Sequence, residues 1–92
     1  MAIVTLRYWA AAKEAAGTAE ETISAGTLAE ALAAARGTAE DDQQTGQNSR
    51  LRAVLARSSF LIDGMPVGSR APEVVELSDA AVIEVLPPFA GG

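Results

Sequence analysis

Apolar and polar residues alternate from Ala2 to Tyr8, so that Val4, Leu6 and Tyr8 fall on one side of an extended chain and Ile3, Thr5 and Arg7 on the other. This period of two predicts a first strand. Residues 9–16 begin at Trp9 and are rich in alanine, which favours helix, and Gly17 follows as a residue able to take the left-handed conformation that closes one. A short second strand is predicted over 21–24. Thr27 and Glu30 then stand three positions apart, the spacing at which side chain and backbone reciprocally satisfy the first free amides of a helix. Behind them Leu28, Ala31, Leu32 and Ala35 recur at i, i+3, i+4 and i+7, one apolar stripe that ends before Gly37 and defines the main packing helix.

Residues 38–48 contain no large apolar side chain and have nothing to bury, so a mobile, solvated loop is expected there. Ser49 is placed to cap a further short helix with Leu51, Val54 and Leu55 on one face and Arg50, Arg52 and Arg57 mostly away from it, as a solvated face. Residues 60–62 read as a buried strand that turns at Asp63-Gly64 and returns through Pro66 and Val67. Residues 74–77 read as another extended segment. The last strand is predicted over 80–86, with Ile83 and Val85 inward and Val82 and Glu84 outward. Pro87 and Pro88 cannot donate backbone hydrogen bonds and hold the chain extended, so the tail 87–92 is expected to project from the end of that strand. The order of elements suits a mixed sheet with helices packed on one face, leaving the other face for partners.

A chain of 92 residues accommodates one core, so residues 1–92 are read as a single domain. Twelve acidic residues against seven basic ones give a net charge of −5, which argues against a nucleic-acid partner. The sequence has no cysteine and no histidine, which removes disulfides, thiolate nucleophiles, imidazole bases and the usual zinc ligands. No basic stretch followed by an apolar run opens the chain and no apolar run reaches membrane-spanning length, so a cytoplasmic protein without membrane contact is expected. What remains as a chemical group is the terminus itself. Gly91 and Gly92 carry no side chains, so their backbone can pass through a narrow channel to a catalytic centre without a Cβ clash.

A bare Gly-Gly ending is common in frayed termini and says little alone. Here it is joined to a diproline and a final strand. The segment Leu86, Pro87, Pro88, Phe89, Ala90, Gly91, Gly92 resembles the P-P-hydrophobic-small-Gly-Gly ending of the MoaD family, the small subunits of molybdopterin synthase. Residues 7–17 are similar to that family's aromatic-Ala-x-x-(Lys/Arg)-Glu-x-Ala-Gly segment after its first strand, and Ile62-Asp63-Gly64 stands where its Val-Asn-Gly-like hairpin lies. The resemblance covers essentially the whole chain. It departs at the 38–48 insertion and at Asp79-Ala80-Ala81, where the family shows Asp-Gly-Asp and where alanine tolerates a positive φ poorly.

The resemblance implies an α+β, β-grasp (ubiquitin-like) fold and a sulfur-carrier role in molybdenum cofactor biosynthesis. An adenylating enzyme of the MoeB or ubiquitin-activating type would join AMP to the Gly92 carboxylate, using MgATP on its own chain, and a persulfide donor would convert it to a thiocarboxylate. A large subunit of the MoaE type would accept the tail and pass its sulfur to cyclic pyranopterin monophosphate. Gly92 would carry the chemistry, with Pro87, Pro88, Phe89, Ala90 and Gly91 contacting the partner and Phe89 as anchor. The chain would bind no metal and no cofactor and would supply no acid or base of its own, being a sulfur-carrying subunit rather than an enzyme alone. A core position is expected for Trp9, with the border of the partner surface as its alternative. Two alternatives remain open: a ThiS-type or CysO-type carrier for thiamin or cysteine synthesis, and a ubiquitin-like binding or conjugating module.

Overall fold

The computed structural model describes residues 1–37 and 49–88. The expected loop 38–48 and tail residues 89–92 lie outside the described residues. The alternating segment forms strand β1 (Ala2–Tyr8), with Val4, Leu6 and Tyr8 all buried. The alanine-rich segment forms α1 (Ala10–Ala16), closed by Gly17 at φ 76° with its amide on the Lys13 carbonyl. Strand β2 (Glu20–Ala25) follows, and α2 (Leu28–Ala34) starts from the expected capping box: the Thr27 side chain accepts from the Glu30 amide, and the Glu30 carboxylate accepts from the Thr27 amide. Leu28, Ala31 and Ala35 are buried and Leu32 lies half-buried at the margin. Helix α3 (Ser49–Leu55) turns Leu51 and Leu55 inward and leaves its arginines exposed.

Strands β3 (Ser59–Ile62) and β4 (Met65–Pro66) form the predicted hairpin. Its two-residue loop places Asp63 at φ 50° and Gly64 at φ 83°, both left-handed, as the twist of a tight hairpin requires. Asp63 also fixes the neighbouring register: its amide donates to the Val82 carbonyl (2.9 Å) and its carboxylate accepts from the Val82 amide (3.0 Å). Two expectations need correction. Phe60, Leu61 and Ile62 are half-buried rather than buried, because this strand lies next to a short edge strand and its outer side is uncovered. The extended segment expected over 74–77 begins one residue later: Val74 closes a 3-10 turn (Pro72–Val74) with proline at its start, while Val75 is extended, its carbonyl accepting from the Leu28 amide (2.9 Å), and Glu76 forms a β-bridge with Thr27.

Strand β5 (Val82–Leu86) lies between β1, to which it is parallel, and β3, to which it is antiparallel, in a sheet of order β2-β1-β5-β3-β4. Ile83 and Val85 point inward as expected. They meet Val4, Leu6, Ile23, Leu28 and Leu51 in one core, with Ala12, Ala15 and Ala16 presenting the small face of α1. The helices therefore cover one side of a mixed sheet.

The turn into β5 carries the strain foreseen where alanine replaces glycine. Ala80 sits at φ 69°, held by its amide on the Ile3 carbonyl (2.8 Å), while the Asp79 carboxylate accepts from the Ile3 amide (2.8 Å). An L-residue in the left-handed region costs about 1–2 kcal/mol, partly offset for glycine by its larger unfolded-state entropy. Ala80→Gly is therefore expected to stabilise the fold by about 0.5–1 kcal/mol. The check is a rise in the urea midpoint at unchanged slope; a fall would show that the turn is not strained.

Candidate functional site

The chemistry proposed by the sequence belongs to the end of β5, and the sheet topology determines what surrounds it. Because β5 is central and parallel to β1, its last residues emerge beside the end of β1: Val85 is in register with Tyr8, while on the other flank Leu86 is in register with Ser59 at the start of β3. Pro87 is half-buried against this junction and Pro88 is exposed. The residues expected to bind a partner, Phe89, Ala90 and Gly91, and the one expected to react, Gly92, lie outside the described residues. The structure thus places the base of the tail and the surfaces that flank it.

On the outer side, Ile3, Thr5, Arg7, Val82, Glu84 and Leu86 form the face opposite the core. Ile3 is 51% exposed, and the remaining five are half-buried only by one another and their strand neighbours. Trp9 belongs to this surface and not to the core as expected. It is 45% exposed, and its indole Nε1 donates to Glu84 Oε1 at 3.2 Å. Trp9 is still extended and follows the inward-facing Tyr8, so the alternation of β1 carries its indole to the same outer side as Ile3, Thr5 and Arg7, and Ala10 at φ 49° then turns the chain into α1. Arg7, Trp9, Lys13 and Glu20 border a shallow hollow of about 270 Å³ beside the strand end. Arg7 pairs with Glu20 at 3.5 Å, with both side chains about half exposed. An exposed pair of this kind adds little stability.

On the inner side the strand end is fixed by a residue that the sequence reading passed over. The Glu21 carboxylate accepts the Tyr8 hydroxyl (2.6 Å) and the backbone amides of Arg36 and Gly37, so one side chain ties the end of β1 to the exit of α2. The signal was present in β2, where the period of two puts Glu21 on the same inward side as Ile23 and Ala25. A carboxylate on an apolar face needs donors, and here it has three.

Tyr8 is correspondingly held neutral. Burial raises its pKa well above the ordinary value, and the hydrogen bond to Glu21 and that group's negative charge add to the shift. The unfolded chain releases this proton near pH 10 and the folded protein does not, so above about pH 10 the unfolded state binds fewer protons and stability falls as pH rises. Tyr8 is the one tyrosine of the chain. Tyrosinate absorbance is therefore expected to stay absent from the folded protein past pH 10 and to appear on unfolding, and Tyr8→Phe should flatten the alkaline limb. A native titration near pH 10 would contradict this.

No protein-family model and no curated protein matches the sequence. Solved structures do. The chain is similar to small archaeal modifier protein 1 of Methanosarcina acetivorans, at a TM-score of 0.77 and 24% identity over 100% of this chain and 98% of that one. It is similar to a chain of the complex between subunits 1 and 2 of the molybdopterin-converting factor of Helicobacter pylori, at 0.64 and 22%, covering 98% and 99% of the two chains. It is also similar to a Pyrococcus furiosus chain assigned as subunit 1 of a molybdopterin converting factor, at 0.69 and 18%, covering 97% and 100%. The architecture is therefore the ubiquitin-like β-grasp fold. Its structural neighbours thus include both chains of molybdopterin-converting factors and a small archaeal modifier protein. No helix among the described residues is long and apolar enough to cross a membrane.

Proposed function

We propose that this chain is a cytoplasmic sulfur carrier of the molybdopterin synthase small-subunit type, whose Gly92 carboxylate is activated, loaded with sulfur and presented to a large subunit. The observation that carries this reading is the exit of the tail. A diproline leaves a central strand at the sheet end, next to an uncovered face bearing Trp9, and leads to a sequence whose last two residues have no side chains. The folded domain anchors the tail, and the partner supplies the catalytic groups.

The need for activation is chemical. A free carboxylate would have to expel oxide, whereas attack of the Gly92 carboxylate on the α-phosphorus of ATP releases pyrophosphate and leaves an acyl adenylate whose leaving group is AMP. A persulfide sulfur then attacks the carbonyl and expels AMP, and a thiol cleaves the resulting acyl disulfide to give the thiocarboxylate. MgATP belongs to the activating enzyme in this scheme. The likeness to a subunit of a two-subunit converting factor supports a MoaE-type partner. The likeness to small archaeal modifiers gives the conjugating alternative its own support.

Reconstitution with an activating enzyme of the MoeB type, MgATP, a persulfide donor, a MoaE-type subunit and cyclic pyranopterin monophosphate separates the readings. Dithiolene product supports the proposal. A thiocarboxylate that never reaches the pterin would reassign the chain to a thiamin-type or cysteine-type carrier, and isopeptide adducts without thiocarboxylate would make it a protein modifier.

A further inference from the structure

Away from the tail, the helical side of the molecule carries a furrow that neither the sheet nor the carrier chemistry uses. Helix α3 packs on α1, while α2 packs on β2 and on the 3-10 turn, so a gap opens between α2 and α3. Leu32 and Ala33 form one wall, Arg52, Leu55 and Ala56 the other, and Pro72 the end, around a cavity of about 300 Å³. The alanines are too small to close it. Val74, in the same turn as Pro72, adds an apolar side chain that is 68% exposed.

The charge beside this furrow is opposite in sign to that of the protein. The net charge is −5, yet Arg50, Arg52 and Arg57 project from α3 and the residues just after it, all exposed. Among the described residues none of the three forms an ion pair; the one such pair is Arg7–Glu20, on the far strand pair. Pro72 also borders a second cavity of about 320 Å³ that contains Arg70. Its Nε donates to the Val67 carbonyl (3.0 Å) and its Nη2 to the Pro66 carbonyl (3.3 Å), which holds the guanidinium in place and leaves further N–H donors on it. Two apolar hollows are thus joined at Pro72, with a cation in each.

We infer that this furrow docks an acidic peptide segment of a partner protein, with apolar side chains seated against Leu32, Leu55 and Pro72 and carboxylates along the arginines. Glu73 is the negative group on the opposite wall. It disfavours an acid at that point, so apolar anchors fit beside Pro72 and acids fit along α3. The inference is independent of the tail chemistry, because the furrow lies on the side of the sheet away from the exposed face of Trp9.

The test uses the intact protein and a short acetylated peptide alternating acidic residues with leucine, compared with a lysine-for-acid counterpart carrying the same leucines. The acidic peptide is expected to bind, to shift amide resonances of α2, α3 and residues 72–74, and to weaken steadily as salt is raised. The triple charge reversal Arg50→Glu, Arg52→Glu, Arg57→Glu should weaken it about tenfold or more. Ala33→Trp, an exposed position that fills the furrow without entering the core, should weaken it comparably while leaving the urea midpoint in place. Equal binding of both peptides, no binding, or shifts mapped to the outer sheet face would overturn the inference. So would binding that appears only when residues 38–48 are replaced by a glycine-serine linker, since the furrow would then belong to the chain's own acidic stretch.

Discussion

A chain extended by even one residue beyond Gly92 is expected to fold normally and to acquire no sulfur at all. The group that attacks ATP in the proposed scheme is the Gly92 carboxylate, which an added peptide bond turns into an amide, while the new carboxylate stands one residue beyond the place the activating enzyme aligns, so the loss should reach background rather than a fractional decrease. Stability should change by no more than about 0.5 kcal/mol, because the addition lies beyond every residue of the core. Deletion of Gly92 should behave alike, by moving the carboxylate back one residue from its place in the partner's active centre. The two readouts must be taken together: intact-mass analysis after incubation with activating enzyme, MgATP and persulfide donor, and a urea unfolding curve. Sulfur on the extended chain would remove Gly92 from the chemistry, whereas loss of sulfur accompanied by unfolding would make the tail a structural element.

The largest stability effect is expected at Gly37. It sits at φ 66°, and a Cβ built there collides with the Ala16 carbonyl oxygen and falls 2.6 Å from the Ala16 Cα. The backbone cannot easily withdraw, because the amides of Arg36 and Gly37 both donate to the Glu21 carboxylate that also holds Tyr8. Gly37→Ala therefore combines left-handed strain with a collision against the end of α1, and a loss of about 3 kcal/mol is expected. Gly64 supplies the control. It has φ 83° with nothing within 4 Å of the added Cβ, so Gly64→Ala should cost about 0.5–1 kcal/mol, the conformational part alone, as in the reverse exchange at Ala80. Equal losses at the two positions would mean that the exit of α2 is not clamped as the hydrogen bonds indicate.

Much of the architecture was legible because its signals are local. The alternation over β1, Gly17 after α1, the Thr27–Glu30 box and Asp63-Gly64 each specify a conformation from a few neighbouring residues, and the structure has them. The difficulty at Ala80 was also readable, since glycine is the residue that accepts φ 69° without cost. The misreadings share another character. Residues 74–77 read as one extended segment, yet Pro72 starts a 3-10 turn that takes in Val74 and leaves it in solvent, while Val75, buried and extended, and Glu76, bridged to Thr27, keep the expected conformation. Phe60 to Ile62 are apolar enough for a covered strand, but burial depended on how far the helices extend across the sheet. Trp9 is a large apolar residue of the kind cores use, yet it continues the outward series Ile3, Thr5, Arg7 beside the inward Tyr8, so the alternation that defines β1 outweighed its hydrophobicity. Glu21 was legible only in part: the period of two in β2 puts it on the inward side, but its donors come from Tyr8 and from residues 36–37, which no spacing along the chain brings together.

The site was legible in another sense. The chemistry proposed for the tail came from its resemblance to the MoaD ending, since Gly-Gly alone says little, and the structure describes only the base of that tail, Pro87 and Pro88, after a central strand flanked by Tyr8 and Ser59.

The most direct test of the carrier role is the intact mass of the purified chain after incubation with a MoeB-type activating enzyme, MgATP and a persulfide donor, followed by fragmentation of the C-terminus. Exchange of one oxygen for one sulfur, confined to the fragment containing Gly92, is the predicted result. An unchanged mass with a competent activating enzyme, or sulfur found on any other residue, would contradict it.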